Sequence, residues 1–238
     1  MKEDIFYHPD DKIRFTLRES RGRLTDTYRH KGMRRKMVEV IRRKGIRDAR
    51  VLAAMEQLPR HFYLDKAFEE WAYADKPFSI GSGQTISQPY TVAYQTALLD
   101  VKPGDKVLEV GTGSGYQAGI LSLLGAKVYT IERHKSLYKK ALALNNEIGL
   151  ANIRFYFGDG FEGLPNHAPF DKILVTAGAR EVPKTLLEQL KVGGVMVIPV
   201  GKDIQTMLRI TRKGDTEYKT ERFDNFRFVP FLKGTEEQ

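Results

Sequence analysis

The sequence predicts an α/β fold with a doubly wound, mainly parallel sheet and an antiparallel C-terminal portion. Short buried runs alternate with helical patterns from residue 106 to residue 200, and such alternation is typical of parallel strands that are joined through helices. Beyond residue 201 the strand patterns continue without clear helices, so those strands are expected to pair antiparallel. Helical patterns also precede the sheet, and the whole arrangement is expected to be Rossmann-like.

The helices before the sheet are predicted from apolar periodicity and capping residues. Four apolar residues share one face of the first helix, namely Met33, Met37, Val40 and Ile41. Gly45 is a suitable terminator for it. Asp48 can cap a second helix that runs to about Leu58, where Pro59 ends it. The aromatic segment 61–73 follows and is expected to pack over the chain after it.

Five buried strands are predicted in the core of the chain. They cover residues 106–110, 127–131, 153–157, 171–176 and 194–200. A helix around 92–99 precedes them, and further helices are expected at 116–125, 136–149 and 183–190.

Composition restricts the chemistry. The 238 residues include no cysteine, which excludes disulfides, zinc sites with cysteine ligands and thiol nucleophiles and suits a reducing compartment. No signal peptide is visible at the N-terminus, and the longest apolar run, residues 193–201, is too short to span a bilayer. We therefore expect a soluble, cytoplasmic protein without membrane contact.

The positive charge is concentrated at the N-terminus. Residues 1–45 hold 14 of the 39 basic and 7 of the 30 acidic side chains, or +7 of the net +9. We expect a basic arm over residues 1–31 and a single domain over 32–238, with helices and a polar loop at 32–89, a ligand-binding core at 90–200 and strands at 201–238. The arm either meets nucleic acid or acidic proteins, or is a solvated tail followed by a charged helix face.

A glycine-rich turn follows the first core strand, and ligands of such sheets bind at the carboxyl ends of the strands. The segment LEVGTGSGYQA has the pattern E-x-G-x-G-x-G, with glycines at 111, 113 and 115. A dinucleotide fingerprint would need a glycine at 116, where this chain has Tyr116. The pattern resembles the first motif of S-adenosylmethionine-dependent methyltransferases, although a glycine-rich turn without a ligand would also read this way.

Two further strand ends carry acids. Glu132 ends the second core strand, where it can accept hydrogen bonds from both hydroxyls of a ribose. Asp159, in the GDG segment after the third strand, is placed to accept from an adenine amino group, and Gly160 allows close backbone approach. Taken singly, Glu132 could be a surface acid and GDG a turn, but three compatible strand ends support one nucleoside ligand.

The fourth strand narrows the acceptor of the methyl group. It continues as VTAGA, without the Asn/Asp-Pro-Pro-aromatic motif that is common in enzymes that methylate exocyclic amines and amides. Since cysteine is absent as well, the acceptor should need little activation. A carboxylate fits, because it is already anionic at pH 7 and needs only alignment and desolvation.

The polar segment GSGQTISQPY, residues 81–90, is expected to be the acceptor loop. Thr85 and Ser87 can donate hydrogen bonds to a carboxylate or to neighbouring peptide groups, and the flanking glycines let the loop fold over the ligand. Pro89 is suited to start the next helix. As an alternative, Ser87 merely caps that helix.

Other chemistry has little support. The histidines have no metal-ligand spacing and read as surface or packing residues: His8, His30, His61, His134 and His167. Ser114 does not lie in a G-x-S-x-G elbow, and no phosphate-binding P-loop occurs.

Five segments together resemble the protein-L-isoaspartate (D-aspartate) O-methyltransferase family. They are residues 81–99, 107–124, 155–165, 170–201 and 226–231, within a match that covers about residues 32 to 232. The segment QTISQP is the most specific of these motifs. The resemblance implies methylation of the side-chain carboxylate of isoaspartyl residues in damaged proteins and peptides. The resulting ester then closes to a succinimide, which allows return to aspartate.

The resemblance implies that Ser87 is the active-site serine and S-adenosylmethionine the cofactor, with S-adenosylhomocysteine as product and no metal. The predicted cofactor-binding residues are Thr85, Ile86, Glu109, Gly111, Gly113, Gly115, Glu132, Asp159 and Gly160. The expected partners are isoaspartyl proteins and peptides, without specific nucleic acid, for a monomeric enzyme. Two rival hypotheses remain at this point: an RNA methyltransferase guided by the basic N-terminus, and a catalytically silent binding scaffold.

Overall fold

A seven-stranded sheet forms the centre of the protein, whose computed structural model describes residues 24–237. Its strands are β3 (Lys106–Val110), β4 (Lys127–Glu132), β5 (Ile153–Phe157), β6 (Phe170–Val175), β7 (Leu190–Val200), β8 (Gln205–Arg212) and β9 (Tyr218–Phe226). The order across the sheet is β5-β4-β3-β6-β7-β8-β9. A separate two-stranded hairpin consists of β1 (Phe78–Gly81) and β2 (Gln84–Ile86).

The strand directions confirm the predicted fold class. The pairs from β5 to β7 are all parallel, whereas β7, β8 and β9 pair antiparallel. The chain runs outward from β3 through β4 to β5 and then returns to the other side of β3 as β6. The switch point of the sheet therefore lies between β3 and β6, which is where ligands of doubly wound sheets bind.

Six α-helices accompany the strands in the part of the chain that the structure describes. They are α1 (Tyr28–Arg43), α2 (Ala49–Gln57), α3 (Pro89–Leu99), α4 (Tyr116–Leu123), α5 (Lys135–Ile148) and α6 (Lys184–Glu188). The expected cap of α2 is present, since the Asp48 carboxylate accepts from the amides of Arg50 and Val51 at 2.9 and 3.2 Å. As predicted, α3 begins at Pro89.

Two helix predictions need correction, and the structure adds detail to the aromatic segment. Val40 is 41% exposed, although Met37 and Ile41 on the same helix are buried. Two 3₁₀ helices, Arg60–Tyr63 and Lys66–Trp71, cover most of the aromatic segment 61–73, for which no secondary structure was predicted. The helix predicted at 183–190 is only five residues long, because the chain enters β7 at Leu190.

Two apolar layers enclose the sheet, since alternate strand residues point to opposite faces. Val107 of β3 belongs to the layer that includes Met55 of α2 and Ile120 of α4. Leu108, its neighbour on the strand, belongs to the opposite layer with Leu186 of α6. The carboxyl edge of the sheet is left open for a ligand.

The predicted arm, residues 1–31, falls mainly outside the described residues. Its last residues are part of the folded protein, because α1 begins at Tyr28 behind a capping box formed by Thr27 and His30. Asp26 pairs with Arg34 at 3.0 Å, and both side chains are almost fully buried. The division into an arm and a single domain remains a prediction. Within residues 24–237, no helix has the length and apolar character needed to cross a membrane.

Candidate active site

A cleft of about 820 Å³, including its open mouth, lies at the carboxyl ends of β3, β4 and β6. Its walls include seven of the ten predicted site residues: Thr85, Ile86, Ser87, Gly111, Gly113, Glu132 and Gly160. The remaining three, Glu109, Gly115 and Asp159, lie outside its lining, so any part they play is less direct.

The glycine-rich turn after β3 forms one wall. Gly111, Gly113 and Gly115 have φ angles of +99°, +52° and +87°, which favour glycine. A Cβ atom on Gly111 would stand 2.5 Å from the Thr176 hydroxyl oxygen, and that hydroxyl donates to the Gly111 carbonyl at 2.7 Å. Gly115 is the N-cap of α4, so it shapes the turn from behind the cleft.

Glu132 is fixed at the end of β4 by two backbone amides. Its Oε2 accepts from Gly113 at 2.8 Å, and its Oε1 accepts from His134 at 2.9 Å. The residue is 4% exposed yet lines the cleft. Because each carboxylate oxygen has two lone pairs, Glu132 can still accept from a ligand hydroxyl.

Glu109 lies beneath the glycine-rich turn and is fully buried. Its Oε2 accepts from Thr130 at 2.5 Å, and the Thr130 hydroxyl lies 2.6 Å from that of Thr112, which lines the cleft. Burial raises the pKa of Glu109 to about 8, and the nearby negative charge of Glu132 acts in the same direction. Glu109 therefore supports the turn through the two threonines, and direct cofactor binding by its carboxyl group stays a prediction.

The polar loop reaches the cleft as the small hairpin β1–β2. Ser87 follows β2 and is half-buried, whereas Thr85 is exposed and Ile86 is buried. The N-cap of α3 is Gln88, whose side chain makes no capping hydrogen bond. The alternative that Ser87 serves as a helix cap is therefore wrong, and among residues 24–237 its hydroxyl has no hydrogen-bond partner.

A second hollow of about 360 Å³ adjoins the cleft. Four residues line both spaces: Thr85, Ser87, Thr176 and Val229. The second hollow is also lined by Arg227, which is exposed. Ser87 thus lies on the boundary between the cleft and the second hollow.

The C-terminal strap, residues 229–236, closes another side of the cleft. Its residues Val229 to Leu232 line the cleft, and Phe231 stacks on Phe161 with ring centroids 4.0 Å apart. Asp159 holds the strap, because its Oδ2 accepts from the Gly234 amide at 2.7 Å and its Oδ1 from Phe161 at 2.8 Å. Its expected role toward adenine stays a prediction.

Gly160 shows how closely the strap approaches the sheet. A Cβ atom there would lie 2.6 Å from Val110 and 2.9 Å from Phe231. Sequence patterns did not single out Thr176, Phe231 or Leu232 as site residues. Thr176 lies in VTAGA, a segment notable in the sequence only for the motif that it lacks, and Phe231 ends FRFVPF, which only the family resemblance marked.

Two of the histidines cluster away from the cleft lining, which their sequence spacing did not reveal. The rings of His30 and His61 stack with centroids 3.9 Å apart, close to Asp26. Nε2 of His30 lies 2.9 Å from a Glu69 oxygen, and Nδ1 of His61 lies 2.7 Å from the Tyr73 hydroxyl. His61 lies in the first 3₁₀ helix and also contacts the Thr25 carbonyl, and His30 contacts Glu69 of the second. The two histidines therefore connect the start of the described chain to the 3₁₀ helices.

Similar sequences include several proteins named protein-L-isoaspartate O-methyltransferase. The family model described as protein-L-isoaspartate(D-aspartate) O-methyltransferase matches residues 32–236. A protein-L-isoaspartate O-methyltransferase from Christiangramia forsetii is 55% identical over 210 residues, covering 88% of this chain and 99% of that protein. One from Cytophaga hutchinsonii is 54% identical over 210 residues, covering 88% and 95%.

Solved structures agree with the sequence matches. A protein-L-isoaspartate O-methyltransferase structure superposes with a TM-score of 0.76 at 28% identity, over 83% of this chain and 65% of that chain. A Plasmodium falciparum protein described as an enzyme of this kind, in complex with S-adenosyl-L-homocysteine, gives a TM-score of 0.72 at 27% identity, over 86% and 99%. The match of the family model over most of the chain shows that this protein belongs to the protein-L-isoaspartate (D-aspartate) O-methyltransferase family.

Proposed function

We propose that this protein transfers a methyl group from S-adenosylmethionine to the side-chain carboxylate of L-isoaspartyl and D-aspartyl residues in damaged proteins, which starts their repair. The observation that supports this most is the position of Ser87, on the boundary between the ligand cleft and the second hollow. One space can hold the methyl donor while the other holds the acceptor. Family membership argues against both the RNA methyltransferase and the silent scaffold.

The cleft fits S-adenosylmethionine in shape and chemistry. The turn at Gly111 and Gly113, whose positive φ angles favour glycine, presents backbone without side chains to the cleft. Glu132 offers fixed carboxylate oxygens of the kind that bind ribose hydroxyls. Phe231 and Leu232 of the C-terminal strap provide apolar surface at the other side of the cleft.

Bound S-adenosylmethionine would supply a methyl group on its sulfonium sulfur. A carboxylate oxygen would bond to that methyl carbon as the S–CH3 bond breaks and S-adenosylhomocysteine leaves, and this in-line transfer needs neither a general base nor a metal. The task of the protein is then to align the acceptor and exclude water. The Ser87 hydroxyl donates a hydrogen bond to the carboxylate or to a flanking peptide carbonyl, and the Thr85 hydroxyl can do the same from the preceding strand. We also propose that the enzyme acts as a cytoplasmic monomer on isoaspartyl proteins and peptides, without specific nucleic acid.

Selectivity must come from geometry. Isoaspartyl and aspartyl side chains carry the same charge and differ by one methylene in the distance from carboxylate to main chain. A misplacement of about 1 Å can cost on the order of a hundredfold in rate. A loop that fixes the flanking peptide groups can therefore hold only one of the two carboxylates in line with the methyl group.

The test is single-turnover methyl transfer at saturating cofactor with matched isoaspartyl and aspartyl peptides. We expect a strong preference of the native enzyme for the isoaspartyl peptide. Ser87→Ala should lower the rate by roughly ten- to a hundredfold, which corresponds to about 1.4 to 2.7 kcal/mol of lost positioning, with little change in S-adenosylhomocysteine affinity. Equal rates for the two peptides, or a full rate in the variant, would show that this assignment is wrong.

A further inference from the structure

Arg60 is a fully buried cation behind the polar loop. It lies at the start of the 3₁₀ helix Arg60–Tyr63 and has 0% exposure. Among residues 24–237, no carboxylate lies within ion-pair distance of its guanidinium. Burial lowers its pKa to about 10, so the group is charged at neutral pH.

The guanidinium joins two segments of backbone. Its Nε donates to the Ala72 carbonyl at 2.9 Å, and its Nη2 donates to the Ser87 carbonyl at 2.8 Å. Such charge-assisted hydrogen bonds are roughly twice as strong as neutral ones. Its Cζ also lies 5.0 Å from the ring centroid of Tyr116, which lines the cleft.

Stability alone gives a poor account of this arrangement. Removal of an ion from water costs several kcal/mol, and a buried ion without an ionic partner does not recover that cost. Nη1 of Arg60 has no hydrogen-bond acceptor within the described part of the chain. What the charge does secure is the main chain of Ser87, at the boundary of the two spaces.

Asp75 fixes the other end of the same loop. Its carboxylate accepts from the Tyr90 amide at 2.8 Å and lies 2.5 Å from the Lys44 ammonium. Ser87 is therefore held on both sides. Arg60 binds its carbonyl, and Asp75 binds the amide of Tyr90, which lies three residues further along the chain.

We propose that Arg60 is a positioning residue for methyl transfer. It acts through the Ser87 main chain to keep the serine hydroxyl within hydrogen-bond reach of the acceptor carboxylate. This inference rests on the proposed function. Lysine cannot replace Arg60, because a single ammonium cannot span both carbonyls with the fork geometry of a guanidinium.

The test is a double-mutant cycle measured by single-turnover methylation of an isoaspartyl peptide at saturating cofactor. We expect Arg60→Lys to lower the rate by roughly tenfold in the native background, since small displacements of a positioned group are costly. In the Ser87→Ala background the same change should cost less than about twofold, because residues that act as a unit are not additive. The affinity for S-adenosylhomocysteine should change by less than about twofold in either background.

Arg50→Lys is the matched control. Nη2 of Arg50 donates to the Val101 carbonyl at 2.7 Å, so this variant loses the same kind of bond outside the cleft lining, and its rate should stay native. A full rate in Arg60→Lys would overturn the inference, and so would an equal loss in both backgrounds or a loss of S-adenosylhomocysteine binding. If the native enzyme leaves the isoaspartyl peptide unmethylated, the proposed function fails first; otherwise the cycle tests Arg60 alone.

Discussion

Glu109→Gln tests the electrostatics beneath the glycine-rich turn. The native carboxyl group is fully buried, and its only side-chain partner among the described residues is the Thr130 hydroxyl. Burial raises the pKa of this group to about 8 from an ordinary value of 4.5. Glutamine has nearly the same shape but does not titrate, so the variant isolates the proton.

The sign follows from proton linkage. Between about pH 4.5 and pH 8 the folded protein keeps the Glu109 proton, which the unfolded chain releases. The stability that this group contributes is fully present below pH 4.5 and is lost as the pH rises toward 8. Because glutamine removes this loss, the free energy of unfolding of the variant minus that of the native protein should increase with pH.

One pKa unit corresponds to about 1.4 kcal/mol. The difference in free energy of unfolding can therefore rise by no more than this amount per pH unit. Across the window from 4.5 to about 8 the increase is at most on the order of 4 kcal/mol. Urea unfolding of the cofactor-free protein at pH 5, 6, 7 and 8 measures it. Glu188→Gln, the same change on an exposed carboxylate, gives the baseline. A difference that stays constant over this range would show that Glu109 is ionised in the folded protein and would refute the reasoning.

Three further predictions concern binding and stability. Glu132→Ala should weaken S-adenosylhomocysteine binding at least tenfold in calorimetry, since hydrogen bonds to charged groups contribute about 1.5–3 kcal/mol; unchanged affinity would remove Glu132 from the site. Gly111→Ala should lower the melting temperature and the affinity for S-adenosylhomocysteine. Adding Thr176→Ala should restore only part of each, because it removes the clash of the new Cβ with the Thr176 hydroxyl but leaves the unfavourable φ of +99°. Asp48→Ala should cost about 1 kcal/mol of stability through loss of a helix cap, with native methylation rates; a loss of activity would contradict this.

The sheet core and the site residues at the ends of β3 and β4 could be predicted from the sequence. Buried strands produce apolar runs, and parallel strands bring their carboxyl ends to one edge, so Gly111 and Glu132 could be placed together. Arg60, Thr176 and Phe231 escaped prediction because they reach the site through contacts between distant segments. The same holds for the early start of β7, where Leu190 pairs with Phe170 before a register shift.

Local signals were also ambiguous. Ser87 precedes a helix and so resembles a cap, but Gln88 occupies the cap position. Val40 fits the helical period, yet the face of α1 that carries it is covered only in part. In both cases the packing of neighbouring elements decides, and a single sequence does not display that packing.

The position of the C-terminal strap in the chain affects the order in which the cleft can form during synthesis. A chain is synthesised from its N-terminus, and domains fold as their segments emerge. The glycine-rich turn and Glu132 are made long before Phe231 and Leu232, which complete the wall of the cleft. The parallel strands can therefore pair before the strap has been synthesised, whereas the cleft gains its apolar wall only after Phe231 and Leu232 have emerged.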